Sequence, residues 1–166
     1  MNIYDYAMQM EKDGENYYRK LAEKCNSVGL RGIFTMLAGE EVKHYEIVEK
    51  LSQNNENPQL AVTNVLENAK NIFIEMKGVK PELHIDTSEE ADSYRKACNI
   101  EEMSWKFYLE KSEQVEGEEA RHIFLQLAHE EKKHLRIMTT IVEFVSRTEP
   151  GNWLENAEWS HLTTEY

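Results

Sequence analysis

The sequence predicts an all-α protein: four long helices arranged as two antiparallel hairpins joined by a long crossover. Three observations carry this. Proline occurs only at Pro58, Pro81 and Pro150, so residues 1–57 and 82–149 lack the residue that most firmly breaks helices. Both stretches are rich in Glu, Lys, Ala, Leu and Met, which are good helix formers. Within them apolar residues recur three and four apart: Ile33, Phe34, Leu37, Ala38, Ile47, Val48 and Leu51, then Ile123, Phe124, Leu127, Ala128, Leu135, Met138, Ile141, Val142 and Val145. That spacing is helical amphipathicity and not strand alternation.

The elements follow in order. A first helix is expected over about 2–26, broken by Asn26-Ser27-Val28-Gly29, and a second over about 29–54. The crossover, about 55–86, holds a shorter helix near Val65–Lys77. The third long helix runs about 88–115, with Thr87 and Glu90 as a capping box. After Glu116-Gly117 the fourth runs about 118–147. Residues 148–166 are a tail whose short helix packs through Trp153, Leu154 and Trp159. Short, long, short connections define the ferritin-like variant of the four-helix bundle. Residues 1–147 make one domain, with 148–166 packed on it.

Charge excludes several functions. The 166 residues carry 31 Asp+Glu against 19 Lys+Arg, a net charge of -12. Nucleic acid, whose affinity comes largely from Lys and Arg on phosphate, is not a partner. Nor is an anionic membrane surface. No apolar run approaches the roughly 20 residues of a spanning helix. The start, MNIYDYAMQMEKDGE, lacks the basic and apolar regions of a signal peptide. Two cysteines make neither a disulfide framework nor a four-cysteine metal site. A cytoplasmic, reducing setting is expected.

The chain matches itself at an offset of 90 residues. Ala7 meets Ala97, Glu11 meets Glu101, Tyr18 meets Tyr108 and Arg31 meets Arg121. Ile33-Phe34 meets Ile123-Phe124, Leu37-Ala38 meets Leu127-Ala128, Glu40-Glu41 meets Glu130-Glu131, His44 meets His134, and Ile47 meets Ile137. The bundle is therefore two copies of one hairpin. A shared packing frame explains the apolar matches but requires no matched Glu, His or Tyr.

Glu-x-x-His puts a carboxylate and an imidazole on one helix face, about 5–6 Å apart at Cβ, where they can share a metal. With 27 Glu and 6 His, about one such pair is expected by chance. Four occur, and only Glu41/His44 and Glu131/His134 are related by the repeat; Glu119/His122 and Glu158/His161 are incidental. With the first tip between Ser27 and Val28, Glu11 and His44 are equally far from it and Glu41 is three residues nearer. At about 1.5 Å per residue all three stand roughly 20–25 Å from the tip. Glu101, Glu131 and His134 repeat this, so six ligand-type side chains reach one layer. Four buried carboxylates would each cost several kcal/mol uncompensated. Two divalent cations neutralise them, and oxygen with imidazole ligands suits iron or manganese better than structural zinc.

On these residues the chain, over about 1–147, resembles the rubrerythrin and ferritin-like di-iron carboxylate family. The resemblance implies two iron ions (or manganese), bridged by Glu41 and Glu131, capped by Glu11 and Glu101, with His44 and His134 as nitrogen ligands. Tyr18 and Tyr108 match the family's tyrosines that hydrogen-bond ligand carboxylates. The activity implied is reduction of hydrogen peroxide or dioxygen, important in oxidative stress, with electrons from an external protein such as rubredoxin. The alternative is ferroxidase and iron handling, as in ferritins. A homodimer is expected, on the resemblance and on the apolar Val65, Leu66, Ile72, Phe73, Ile74 and Met76 of the crossover.

The sequence departs from the family in two places. Rubrerythrins usually carry a four-cysteine rubredoxin module, and the only cysteines here are Cys25 and Cys98. The family's extra Glu, three residues past the third-helix ligand, is Ser104; Glu15 and Glu102 are off register as substitutes. Trp105 either walls the cavity or is plain core. Measured from one tip, Cys98 lies about 29 Å away, which sets it apart from Cys25 and excludes a disulfide. His84, His122, His129 and His161 have no repeat partner and are expected at the surface.

Overall fold

The structure, a computed structural model, describes residues 1–54, 58–78 and 88–145. These form five helices and no strand: α1 Ile3–Lys24, α2 Val28–Ser52, α3 Val65–Gly78, α4 Ser88–Lys111 and α5 Glu118–Val145. α1 pairs with α2 and α4 with α5, while α3 lies against α2 and α5. The all-α bundle of two hairpins and a crossover is what forms. Among the described residues no helix is long and apolar enough to cross a membrane.

The helix ends have local causes. Asn2 accepts the Asp5 amide at 2.8 Å, and the Ser27 hydroxyl accepts the Leu30 amide at 3.2 Å. Each satisfies a donor that the first turn leaves without an intrahelical partner. α1 ends at Lys24 because Cys25 is extended. α4 ends at Lys111, short of the expected 115, and the chain continues through turn bonds such as Gln114 N–H to the Lys111 carbonyl at 2.9 Å. Gly117 then turns it at φ 93, a conformation that costs glycine little. Thr87 of the expected capping box, the tail with Trp153, Leu154 and Trp159, Glu158, His84 and His161 lie outside the described residues.

The hairpins pack with their tips at opposite ends. Cys25 and Leu30 at the first tip share a cluster with Tyr94 and Ala97 of α4 and with Ile141 and Phe144 at the end of α5. Ala7, Val48 and Leu51, at the open end of the first hairpin, share a second cluster with Tyr108, Ala120 and Ile123 near the second tip. This corrects the axial argument about the cysteines. Cys98 packs against the same cluster that contains Cys25, because its distance from the second tip brings it toward the first. Both thiols are free.

The crossover also departs from expectation. Val65, Ala69 and Phe73 are buried in the first cluster, and Leu66, Ile72 and Met76 pack against it. Only Ile74 of the six apolar residues is exposed, at 49%. The crossover covers its own bundle, so its apolar content is no argument for a dimer. α3 sits so close that a Cβ on Gly29 would lie 2.4 Å from the Met76 Cγ. Ahead of α3, the Thr63 hydroxyl donates to Glu130 at 2.5 Å and ties the crossover to α5.

Candidate metal centre

Between the two apolar clusters lies a polar layer. α1 contributes Glu11, α2 contributes Glu41 and His44, α4 contributes Glu101, and α5 contributes Glu131 and His134. None is more than 4% exposed. Helical periodicity explains each pair: residues three apart on α2 or α5 share a face, and that face is the one packed inward. The six fall into two overlapping sets, Glu11–Glu41–His44–Glu131 and Glu41–Glu101–Glu131–His134. In each set one ligand-type atom per residue lies within 4.8 Å of every other. Glu41 and Glu131 belong to both.

The shortest contacts run between hairpins, and slightly longer ones within each. His44 Nδ1 lies 3.2 Å from Glu131 Oε1 and 3.5 Å from Glu11 Oε2. His134 Nδ1 lies 3.1 Å from Glu41 Oε1 and 3.5 Å from Glu101 Oε1. The imidazoles stack with centroids 5.4 Å apart and planes 6° from parallel. Tyr18 donates its hydroxyl to Glu101, and Tyr108 donates to Glu11. Each tyrosine thus holds the carboxylate of the other hairpin.

Crowding four carboxylates and two imidazoles without solvent rearranges their proton affinities. Burial, then the charges of Glu131, Glu101 and Glu11, pushes Glu41 well above the carboxylate range. Burial, with the charges of Glu11 and Glu101, raises Glu131 to about 8. Burial alone would lower His44, but the Glu131 and Glu11 charges outweigh it and raise it to about 10. His134 rises for the same reason, with Glu101 as its strongest charge partner. Glu11 goes the other way: hydrogen bonds and the His44 charge overcome its burial and hold it at about 2. Without metal, protons occupy the layer.

These residues fit a metal pair. Glu131 Oε2 is buried with no hydrogen-bond partner among the described residues, a costly state for a carboxylate oxygen. It stands 3.2 Å from His134 Nδ1, inside a set of oxygen and nitrogen donors, where a cation would satisfy it. The ligand set, oxygen and imidazole without thiolate, favours iron or manganese.

Other residues singled out by sequence stand apart. Glu15 pairs with Lys12 and Arg19 at 3.0 and 2.9 Å, and Glu102 pairs with Lys106 at 2.9 Å; neither belongs to the sets. Glu119, His122 and His129 are exposed. Trp105 packs partly buried against the second cluster, with the Lys132 ammonium 3.8 Å from its ring centre. Ser104 is buried.

Two features escaped the sequence reading although the 90-residue offset contains them. Glu40 and Glu130 are buried beside the layer, each bonded to a lysine three residues on, Lys43 and Lys133, at 2.9 Å. Gly14, the repeat partner of Ser104, backs the layer: a Cβ there would lie 3.4 Å from the Glu41 carboxyl carbon and Oε2. Matching small residues carry no chemical signature, so the offset alone did not reveal this one.

A crossover-linked bundle with an inward Glu from each of two helices and Glu-x-x-His from each of the other two has the side-chain arrangement of the ferritin-like di-metal carboxylate proteins. The family model for Rubrerythrin matches residues 2–97 and 92–157. The chain belongs to the rubrerythrin family. Comparison with curated proteins and with solved structures returned no match.

Proposed function

We propose that this protein is a di-iron carboxylate oxidoreductase that reduces hydrogen peroxide or dioxygen with electrons from an external donor. The observation that carries the reading is the pair of four-residue sets sharing Glu41 and Glu131. Glu11, Glu41, His44 and Glu131 would hold one ion, and Glu41, Glu101, Glu131 and His134 the other. When bound, such a pair supplies two electrons and Lewis acidity to both oxygens of the substrate. The protein's own groups do the rest. Tyr18 and Tyr108 orient the capping carboxylates, and the apolar clusters on either side keep water out. Ser104, in place of the family's exchangeable Glu, leaves both histidines as ligands throughout, so slower reaction with peroxide is expected than in rubrerythrins that carry that Glu. The two cysteines of the 166 residues cannot form a four-cysteine iron site, and a separate carrier such as a rubredoxin fits the donor role.

Metal uptake should release protons, because ligands bind deprotonated. Glu41, Glu131, His44 and His134 all bind protons more tightly than their ordinary values. At least about two protons, those of His44 and Glu131, should therefore leave as two divalent cations enter at neutral pH, read with an indicator dye in weak buffer. Release of one proton or fewer would contradict this protonation pattern.

The function is tested by reducing the iron-loaded protein anaerobically and adding stoichiometric peroxide. The site should oxidise once and then require a reduced carrier for further turnover. A di-ferrous form inert to peroxide but prompt with dioxygen would replace this reading with a ferroxidase. Steady turnover with NADH and no carrier protein would remove the external donor.

A further inference from the structure

Gly14 lies in the middle of α1, where glycine is a poor helix former. The ordinary reasons for a glycine fail there. Its backbone is not left-handed: among the described glycines only Gly117 has a positive φ. No neighbour excludes a methyl group either. A Cβ on Gly14 would lie 3.4 Å from the carboxyl carbon and Oε2 of Glu41 and 3.6 Å from its Cγ, which is ordinary van der Waals contact. Nor does the repeat demand a glycine, since the equivalent position is Ser104. Alanine would fit and would favour the helix. Its one further effect would be to cover the Glu41 carboxylate.

The metal layer is unequal in the matching way. Glu41 is 4% exposed, whereas its repeat twin Glu131 is 0% and the four remaining residues are 0–1%. Gly14 is three residues past Glu11 and shares its helix face. Its missing side chain leaves a gap about one methyl group wide over Glu41 Oε2. Gly39 supplies the contrast. It too is inside a long helix, α2, but a Cβ there would meet nothing beyond its own turn within 4 Å.

We propose that the gap over Gly14 is the entrance through which substrate reaches the metal layer, and that Gly14 limits the substrate to a bare pair of oxygen atoms. The inference rests on the proposed function and names the substrate class of that site. Hydrogen peroxide and dioxygen are each about one oxygen atom wide along their length, so a gap of one methyl group passes them end-on. An alkyl hydroperoxide carries a branched group that is wider than the gap. The Glu131 side, with Ser104 for glycine and a fully buried carboxylate, stays closed, so substrate arrives from the Glu41 side. Gly14 determines specificity by what it leaves open. Stability given up for access is a common cost at an active site.

The experiment uses the full chain loaded with iron. Gly14→Ala, and Gly14→Ser, which copies the repeat twin, are compared with Gly39→Ala. Both alanine variants should raise Tm by about 2–4 °C through helix propensity, and all three should keep full metal content. Only the Gly14 variants should lose access. Azide, a linear anion one atom wide, should bind the oxidised site roughly tenfold more slowly in them, followed by absorbance. Oxidation of the reduced site by hydrogen peroxide should slow in parallel. In the parent protein tert-butyl hydroperoxide should oxidise the reduced site roughly tenfold more slowly than hydrogen peroxide, or worse. Azide and peroxide rates in Gly14→Ala equal to those in Gly39→Ala would overturn the entrance, and so would equal rates for the two peroxides in the parent protein. Loss of metal from both Gly14 variants would also overturn it, because the glycine would then serve to place Glu41. Failure of the proposed function reads differently: a reduced site inert to hydrogen peroxide and dioxygen, with azide binding still slowed by Gly14→Ala, would remove the oxidoreductase and keep the entrance.

Discussion

Glu131→Ala should reduce bound metal from two ions per chain to fewer than one. Glu131 is common to both four-residue sets, so its loss would remove one of the proposed ligands of each ion at once. Loss of an outer partner of a metal ligand already costs about 10–100-fold in affinity, and loss of a shared ligand should cost at least ~100-fold on that scale. Glu41→Ala should behave alike for the same reason. Glu11→Ala and Glu101→Ala are different: each belongs to one set only, so each should weaken one ion and spare the other. Elemental analysis after equilibration with a competing chelator separates the two classes. Full metal content in both Glu41→Ala and Glu131→Ala would end the ligand assignment.

The second large effect is a divergence of stability with pH between metal-free and metal-loaded protein. Glu131 rises from its ordinary 4.5 to about 8 on folding. A carboxylate held above its unfolded value costs nothing below 4.5, where both states are protonated, and costs increasingly as pH rises toward 8. His44 rises from 6.5 to about 10; its contribution is complete below 6.5 and fades as pH approaches 10. Glu11 falls from 4.5 to about 2, so its contribution is present above 4.5 and is lost as pH falls through 2. Together these groups put the metal-free optimum near pH 4.5, where the Glu11 contribution is nearly complete and the Glu131 cost is only beginning, with a decline that steepens above 6.5 as the His44 contribution fades. Metal reverses the trend, because the protons that stabilise the empty layer are the ones it must displace. At a metal concentration a hundredfold above Kd the gain is about 2.7 kcal/mol. At about 2–4 °C per kcal/mol for a chain of this size, that is roughly 5–10 °C in Tm at pH 8. The gap should close toward pH 5, where protons compete and metal dissociates. Thermal melts with and without metal from pH 5 to 8 test this, and a gap independent of pH would refute it.

Much of the candidate centre is local and therefore legible in the sequence. Glu41 with His44, and Glu131 with His134, share a helix face whatever surrounds the helix, because 3.6 residues per turn is a property of the backbone. Their depth relative to Glu11 and Glu101 is likewise fixed within each hairpin by the tip positions and the rise per residue. The 90-residue offset then isolates the pairs that matter from the incidental Glu119/His122.

What a single hairpin cannot encode is how it lies against its twin. The opposed tips were decided by long-range packing: Leu30 and Phe34 of the first hairpin bury against Tyr94, Ile141 and Phe144 of the second. That orientation makes His44 face Glu131 and His134 face Glu41, and it sends each tyrosine to the other hairpin's carboxylate. It also brings Cys98 to the cluster containing Cys25, which an axial count from one tip places far apart. The crossover was decided the same way. Its apolar residues have a helical period in sequence, but only the groove between α2 and α5 determines that Val65, Ala69 and Phe73 turn inward. Helical periodicity is set by bonds between residues four apart, whereas the relative direction of two hairpins is set by which apolar surfaces meet, a property of residue pairs separated by most of the chain.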